Sequence, residues 1–175
     1  EEAIAGDIIG IYDTGNYQIG DTLSTRKETL FFEPLPTFPP ELFALVTPKD
    51  TMKAKQFQKG VSQLAQEGAI QVYRNEYNEV IIGAVGQLQF EVFQYRLENE
   101  YNAKIRMDRL EFSLARWVHA EDFDTVKKML DSRTMLVFDH FDRPLILFAN
   151  QFTLNYFVEK NPDIKLLEAL DVKQF

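Results

Sequence analysis

Gly83-Ala84-Val85-Gly86, followed by Gln87-Leu88, stands where a phosphate-binding turn would stand, between an apolar strand pattern and a helical one. Such a turn works because glycines let backbone N–H groups reach the phosphate, while a Lys and a Ser or Thr hold its charge and its metal. Here the Lys-Ser/Thr pair is missing, and no Gly-x-Gly-x-x-Gly occurs anywhere. Gly83 and Gly86 therefore read as packing glycines between strand and helix. The two histidines, His119 and His140, have carboxylate neighbours: Glu121 and Asp122 beside the first, Asp139 and Asp142 beside the second. Neither belongs to a His-x-x-x-His pair. Acidic residues also favour turns and helix starts, so both histidines read as surface residues. With no Cys, thiolate metal sites and a Cys nucleophile are excluded, and no Gly-x-Ser-x-Gly elbow is present. No catalytic, cofactor or metal residue is assigned.

The scarce basic residues carry more information. Lys49, Lys53, Lys55 and Lys59 gather at the start of a helical pattern; Lys104 and Arg106 share one strand face, and Arg109 follows. The ordinary reading is a solubilising helix face and a protected edge strand. The functional one is a patch for a phosphate backbone or an acidic partner. A net charge of −8 argues against broad nucleic-acid affinity and against DNA as a partner, but leaves room for one local basic face.

These residues need a scaffold, and 175 residues at 45% hydrophobic content suffice for one large domain or two small ones. Residues 1–32 alternate short apolar runs with Gly, Asn and Asp turns, as in part of a small β-barrel. There are too few strands to close one. Residues 33–40 hold four prolines and read as an extended linker. From 41 to 110 the order is β-α-β-β-α-β: strand Leu42–Val46, a helix carrying Phe57, Val61, Leu64 and Ala65 inward until Gly68, strands at 70–74 and 79–85, a helix with Phe90, Phe93, Leu97 and Tyr101 inward and Val92 widening the stripe, then a strand at 103–109. Residues 111–170 repeat the pattern without residue identity: strand 112–118, helix 121–131, a hairpin turned by 139–143, helix 151–160 with Leu154, Phe157 and Val158 apolar, and a closing strand 164–167. The tail 171–175 reads as frayed. The fold class is α+β: the end of a β-barrel, a ferredoxin-like unit and a second similar α/β unit.

Several separated stretches resemble a known family. Ala5-Gly6-Asp7-Ile8-Ile9-Gly10-Ile11 with Ile19-Gly20-Asp21-Thr22-Leu23 is similar to the end of the second, β-barrel domain of translational GTPases. Gly83-Ala84-Val85-Gly86-Gln87-Leu88-Gln89-Phe90-Glu91-Val92 resembles the third-domain turn of elongation factor G, which reads Gly-x-Gly-Glu-Leu-His-Leu-Glu, but departs from it at Gln87, Gln89 and Phe90. Those departures, with Tyr12-Asp13-Thr14-Gly15-Asn16-Tyr17, Pro39-Pro40-Glu41-Leu42-Phe43 and Ala115-Arg116-Trp117-Val118, resemble the bacterial class II release-factor GTPases.

That resemblance implies a cytoplasmic translation-termination factor that binds the ribosome and promotes departure of class I release factors after peptide release. GTP or GDP with magnesium would belong to an N-terminal domain, whose Walker A and Asn-Lys-x-Asp motifs have no counterpart here. With no initiator Met, the chain reads as a C-terminal fragment without catalytic function. Small-subunit RNA and protein are the implied partners, with Lys49, Lys53, Lys55, Lys59, Lys104, Arg106 and Arg109 as candidate contacts and no membrane involved. The alternatives are a small-molecule-binding module of paired ferredoxin-like units, a small phosphate-ester hydrolase on that scaffold, or a domain of an elongation factor G-like protein. A pocket between the two units would favour the first alternative; an exposed basic face favours the ribosome.

Overall fold

The computed structural model describes residues 2–12, 16–17, 20–28, 30, 32 and 39–168. Among the described residues up to 32 none lies in a strand or helix, and Ile4, Ile8, Ile9, Ile11, Tyr12 and Phe32 are exposed. Most of the proline-rich segment (33–38) and the tail 171–175 fall outside the described residues.

From residue 42 the chain is α+β, with an antiparallel sheet and four α-helices. Strands β1 (Leu42–Pro48), β2 (Gln71–Asn75), β3 (Val80–Ala84) and β4 (Ile105–Leu110) alternate with helices α1 (Ala54–Gln66) and α2 (Gln87–Glu100). Then come β5 (Leu114–Val118), α3 (Phe123–Lys127), β6 (Thr134–Phe138), β7 (Pro144–Phe148), α4 (Gln151–Lys160) and β8 (Leu166–Leu167). One eight-stranded sheet runs β4-β1-β3-β2-β6-β7-β5-β8. The two halves of the chain join at β2 and β6, where Arg74 opposes Phe138 and Asn75 opposes Val137.

The local causes are readable. Asp50 Oδ1 accepts the Met52 N–H at 2.9 Å and caps the 3-10 turn Thr51–Lys53 that opens α1. Gly68 closes that segment at φ +70, a conformation costly for other residues. Asn75 Oδ1 accepts from Tyr77 and Glu79 N–H groups and shapes the β2–β3 turn. Asp139 Oδ1 does the same for Phe141 and Arg143 between β6 and β7. Asn150 caps α4 through the Thr153 N–H, and Asn161 ends it.

Three cores follow from strand alternation. Ala44, Val46, Val80, Ile82 and Ile105 face Phe57, Val61 and Leu64 of α1 and Phe90, Phe93 and Leu97 of α2. Ile146 and Phe148 of β7 face Val126 of α3 and Leu154 and Phe157 of α4. The middle core contains no helix residue: Phe43, Tyr73 and Ile81 come from the first half, and Ala115, Trp117, Val137, Leu145 and Leu147 from the second. None of these eight is more than 2% exposed. With no helix on that side, such burial requires the two halves of the sheet to close over each other. The molecule is thus layered helix, sheet, sheet, helix.

Three expectations need correction. Val92 and Val158 do not join their helices' inward stripes and are 43% and 45% exposed. Each sits one or two positions off the row that meets the sheet (Phe90 to Phe93 and Leu97; Leu154 to Phe157), and the helix turns it outward. The 121–131 helix is also shorter than its pattern, a 3-10 turn at Ala120–Asp122 followed by five α-helical residues. Asp131 turns the chain there, its Oδ1 accepting from the Arg133 N–H at 2.8 Å.

Candidate nucleic-acid interface

Five of the seven basic candidates form one group in the first half. Lys49 follows β1 and Lys104 precedes β4, and the Lys49 N–H donates to the Lys104 carbonyl at 2.9 Å. Their side chains therefore leave from the same end of the sheet. Lys53 ends the 3-10 turn, and Lys55 and Lys59 lie one turn apart on the exposed face of α1. No ion pair involves these five among the described residues. The α1 first turn itself holds no acidic residue, and Asp50, capping the preceding 3-10 turn, is the acid nearest in sequence to the lysines of this helix. Cations at a helix N-terminus add their field to that of the free backbone N–H groups, at a cost to helix stability. The result is a local excess of cations on a protein of net charge −8.

Arg106 and Arg109 leave opposite faces of β4, Arg106 with the parity of Lys104. Arg106 Nε binds Asp108 Oδ2 at 2.7 Å, on the face that also carries Leu110. Arg109 has the parity of Ile105 and Met107, and its guanidinium lies 4.0 Å from the centre of the Phe90 ring.

The glycine turn is closed to phosphate from within. Gln89 Oε1 accepts the Val85 N–H at 2.7 Å and the Gly86 N–H at 3.3 Å, so the groups a phosphate would meet are already bound. Gly83 is a packing glycine, though not against α2: an added Cβ would stand 2.2 Å from Pro40 Cγ and 3.0 Å from Tyr73 Cε2. Gly86 is not one, because a Cβ there would meet nothing within 4 Å. The close helix contact is at Gly60, where a Cβ would come 2.4 Å from Leu97 Cδ1 and 2.8 Å from Tyr101 Cγ. A glycine inside an otherwise regular helical stripe was the available signal.

The two histidines and Arg116 lie in the second half. His140 is exposed in the Asp139 turn, and Asp139 also binds Arg143 Nε at 2.8 Å. His119 is half-buried. Among the described residues no group of three or more His, Asp or Glu side chains is placed to hold a metal. Arg116 reaches Glu168 Oε1 at 2.8 Å beside a shallow groove of about 440 Å³ between α4 and β8. A second hollow, about 190 Å³, lies beside α4 and the start of β6. Between the halves the space is occupied by the middle core.

The chain belongs to the class II release factor family. Its residues 32–158 match the family described as Class II release factor RF3, C-terminal domain. Among individual relatives, it is similar to peptide chain release factor 3 of Listeria welshimeri, 57% identical over 169 residues, which is 96% of this chain and 32% of that protein. Peptide chain release factor 3 of Streptococcus uberis is 53% identical over 171 residues (97% of this chain, 33% of that protein). That of Enterococcus faecalis is 57% identical over 166 residues (94% and 31%). The chain spans about a third of the length of the curated relatives it matches. Among the described residues no helix is long and apolar enough to cross a membrane.

Proposed function

We propose that the chain is the non-catalytic, ribosome-binding C-terminal region of a cytoplasmic translation-termination GTPase that promotes release of class I release factors after peptide release. The observation that carries this reading is the group Lys49, Lys55, Lys59 and Lys104, exposed, with the half-buried Lys53 among them, all without ion-pair partners among the described residues, on a member of the class II release factors. Phosphates of small-subunit RNA are the natural counter-charge for such a group, with ribosomal protein beside them. Arg106 and Arg109 flank it on either face of β4. GTP or GDP with magnesium would be handled elsewhere in the full-length protein, and no residue of this chain is assigned to them.

The architecture is read accordingly. Residues 1–32 would belong to the end of a β-barrel domain and become strands only when joined to the rest of that barrel, which would cover their exposed isoleucines, and 33–40 would link it to the C-terminal domain. Residues 41–110 form a ferredoxin-like unit, supported by the strand order β4-β1-β3-β2; 111–170 form a second, supported by the equivalent order β8-β5-β7-β6. Residues 171–175 are a tail.

The test is ribosome binding by the full-length factor carrying Lys49, Lys53, Lys55 and Lys59 all changed to Glu. Affinity should fall at low salt, and the slope of log affinity against log salt should become shallower by about 0.7–0.9 per lost phosphate contact. Unchanged affinity and slope, or full binding and recycling after deletion of residues 38–175, would overturn the reading.

A further inference from the structure

The second half carries an aromatic surface that the lysine group does not explain. On α4, Phe152 is 70% exposed and Tyr156, one turn later on the same face, is 44% exposed. Two cations attend Tyr156: the Arg133 guanidinium 5.8 Å and the Lys160 ammonium 5.7 Å from its ring centre. Arg133 is held by Asp131, its Nη2 2.9 Å from Oδ2. Lys160 has no ion pair among the described residues.

Tyr156 is also one wall of the hollow of about 190 Å³, which Asp131, Thr134, Lys160 and Asn161 line with it. Asp131 and Asn161 supply acceptors there. Asn161 spends its Nδ2 on the Phe157 carbonyl at 2.8 Å, leaving Oδ1 without a donor among the described residues. The Thr134 hydroxyl donates to the Asp131 carbonyl and accepts the Asp131 N–H. An exposed ring, cations at its margin and a small hollow edged by acceptors together suit a flat heterocycle with amino groups that carries phosphate on its outer side.

We propose that this face seats one unpaired nucleotide of ribosomal RNA. Its base would stack on Tyr156 and present its amino edge to Asn161 and Asp131, and its phosphate would lie against Lys160 and Arg133. Phe152 offers a stacking surface to the next nucleotide. The proposal rests on the ribosome-binding reading but on different residues. The net charge of the chain makes the site selective: single-stranded RNA would be held here by stacking, while the lysine group supplies the salt-dependent attraction.

The experiment uses the full-length factor bound to ribosomes, irradiated to cross-link side chains to RNA and mapped by mass spectrometry. A nucleotide cross-linked to Tyr156 or Phe152 is expected. Tyr156→Ala should abolish the Tyr156 cross-link and weaken ribosome binding roughly tenfold, the scale of one lost stacking contact. Tyr156→Phe should bind as the wild type, because stacking needs the ring and not the hydroxyl. The proposal is overturned if this segment cross-links only to ribosomal protein, if it gives no RNA cross-link while the factor is bound, or if Tyr156→Ala binds as tightly as wild type. The four-lysine variant separates the two claims. If it binds weakly while Tyr156→Ala binds normally, the ribosome reading stands and this site falls; if both bind normally, the reading itself fails.

Discussion

The two halves of the molecule share an element order and a strand order but are stabilised differently. In the first, helices of 13 and 14 residues cover the sheet and touch each other at Gly60, with Arg96 binding both Glu67 of the first connection and Glu100 of α2. In the second, helices of 5 and 10 residues leave more to side chains that shape turns: Asp131, Asp139 and Asn150 each accept backbone N–H groups. Charge follows the same division. Residues 41–110 hold nine basic and nine acidic side chains, whereas 111–168 hold seven and ten, several of those acids committed to turns. The unpaired lysines of the first half gather at the start of one helix, whereas in the second half the acids in excess are partly taken up by turns.

The comparison breaks most severely at what the halves share. Trp117→Ala in the middle core should cost about 3–5 kcal/mol and unfold both halves in one transition. Urea unfolding followed by two probes, one per half, tests this; two separated transitions would show that the halves fold independently. Trp117→Phe sharpens the same point. Trp117 Nε1 is buried with no hydrogen-bond partner among the described residues, so this change removes an unsatisfied donor and should cost much less than Trp117→Ala.

Next in size is the helix contact of the first half. Gly60→Ala places a Cβ against Leu97 and Tyr101 and should destabilise by about 1–3 kcal/mol through overpacking. The helix propensity gain of up to about 1 kcal/mol offsets part of this. The matching weak point of the second half is the α4 cap, where Asn150→Ala should cost about 1 kcal/mol. A thermal melt in which Asn150→Ala proved the more damaging of the two would reverse the contrast drawn above.

The smallest effects are in the acid range. Hydrogen bonds from Arg96 hold the Glu100 carboxyl below its ordinary range, and those from Arg133 do the same for Asp131. A folded-state value below the unfolded one contributes stability that is fully present above the ordinary carboxylate pKa and is lost as pH falls through the folded value. Arg96→Met should therefore flatten the acid limb of the stability profile, and Arg133→Met should flatten it separately. Both carboxylates are exposed, so the changes will be slight and reduced by salt. An acid limb identical to wild type in both variants would remove these pairs from the account.

Most of the architecture from 42 onward was legible because apolar spacing is imposed by the sheet and the helices alike. The continuous run Leu42-Phe43-Ala44-Leu45-Val46 even signalled that β1 is covered on both faces. What covers its second face was not legible, since no local pattern says that one half of a sheet will close over the other. Val92 and Val158 misled because hydrophobicity marks candidates for burial without fixing a side chain's angle around the helix. Among the candidate contacts, the lysine group could be read from its helix, while the opposed directions of Arg106 and Arg109 follow from strand parity, three residues apart. The two cations around Tyr156 come from elements far apart in sequence, and no spacing rule pairs them.

Pro40 occupies the notch that Gly83 leaves on β3, a strand flanked by β1 and β2. Glu41 then donates its N–H to the Ala84 carbonyl at 3.3 Å. The entry to the C-terminal sheet is thus tied at two points, to β1 through the chain itself and to β3 through this packing and hydrogen bond. Filling the notch by Gly83→Val should displace Pro40 and loosen the second tie while leaving the first.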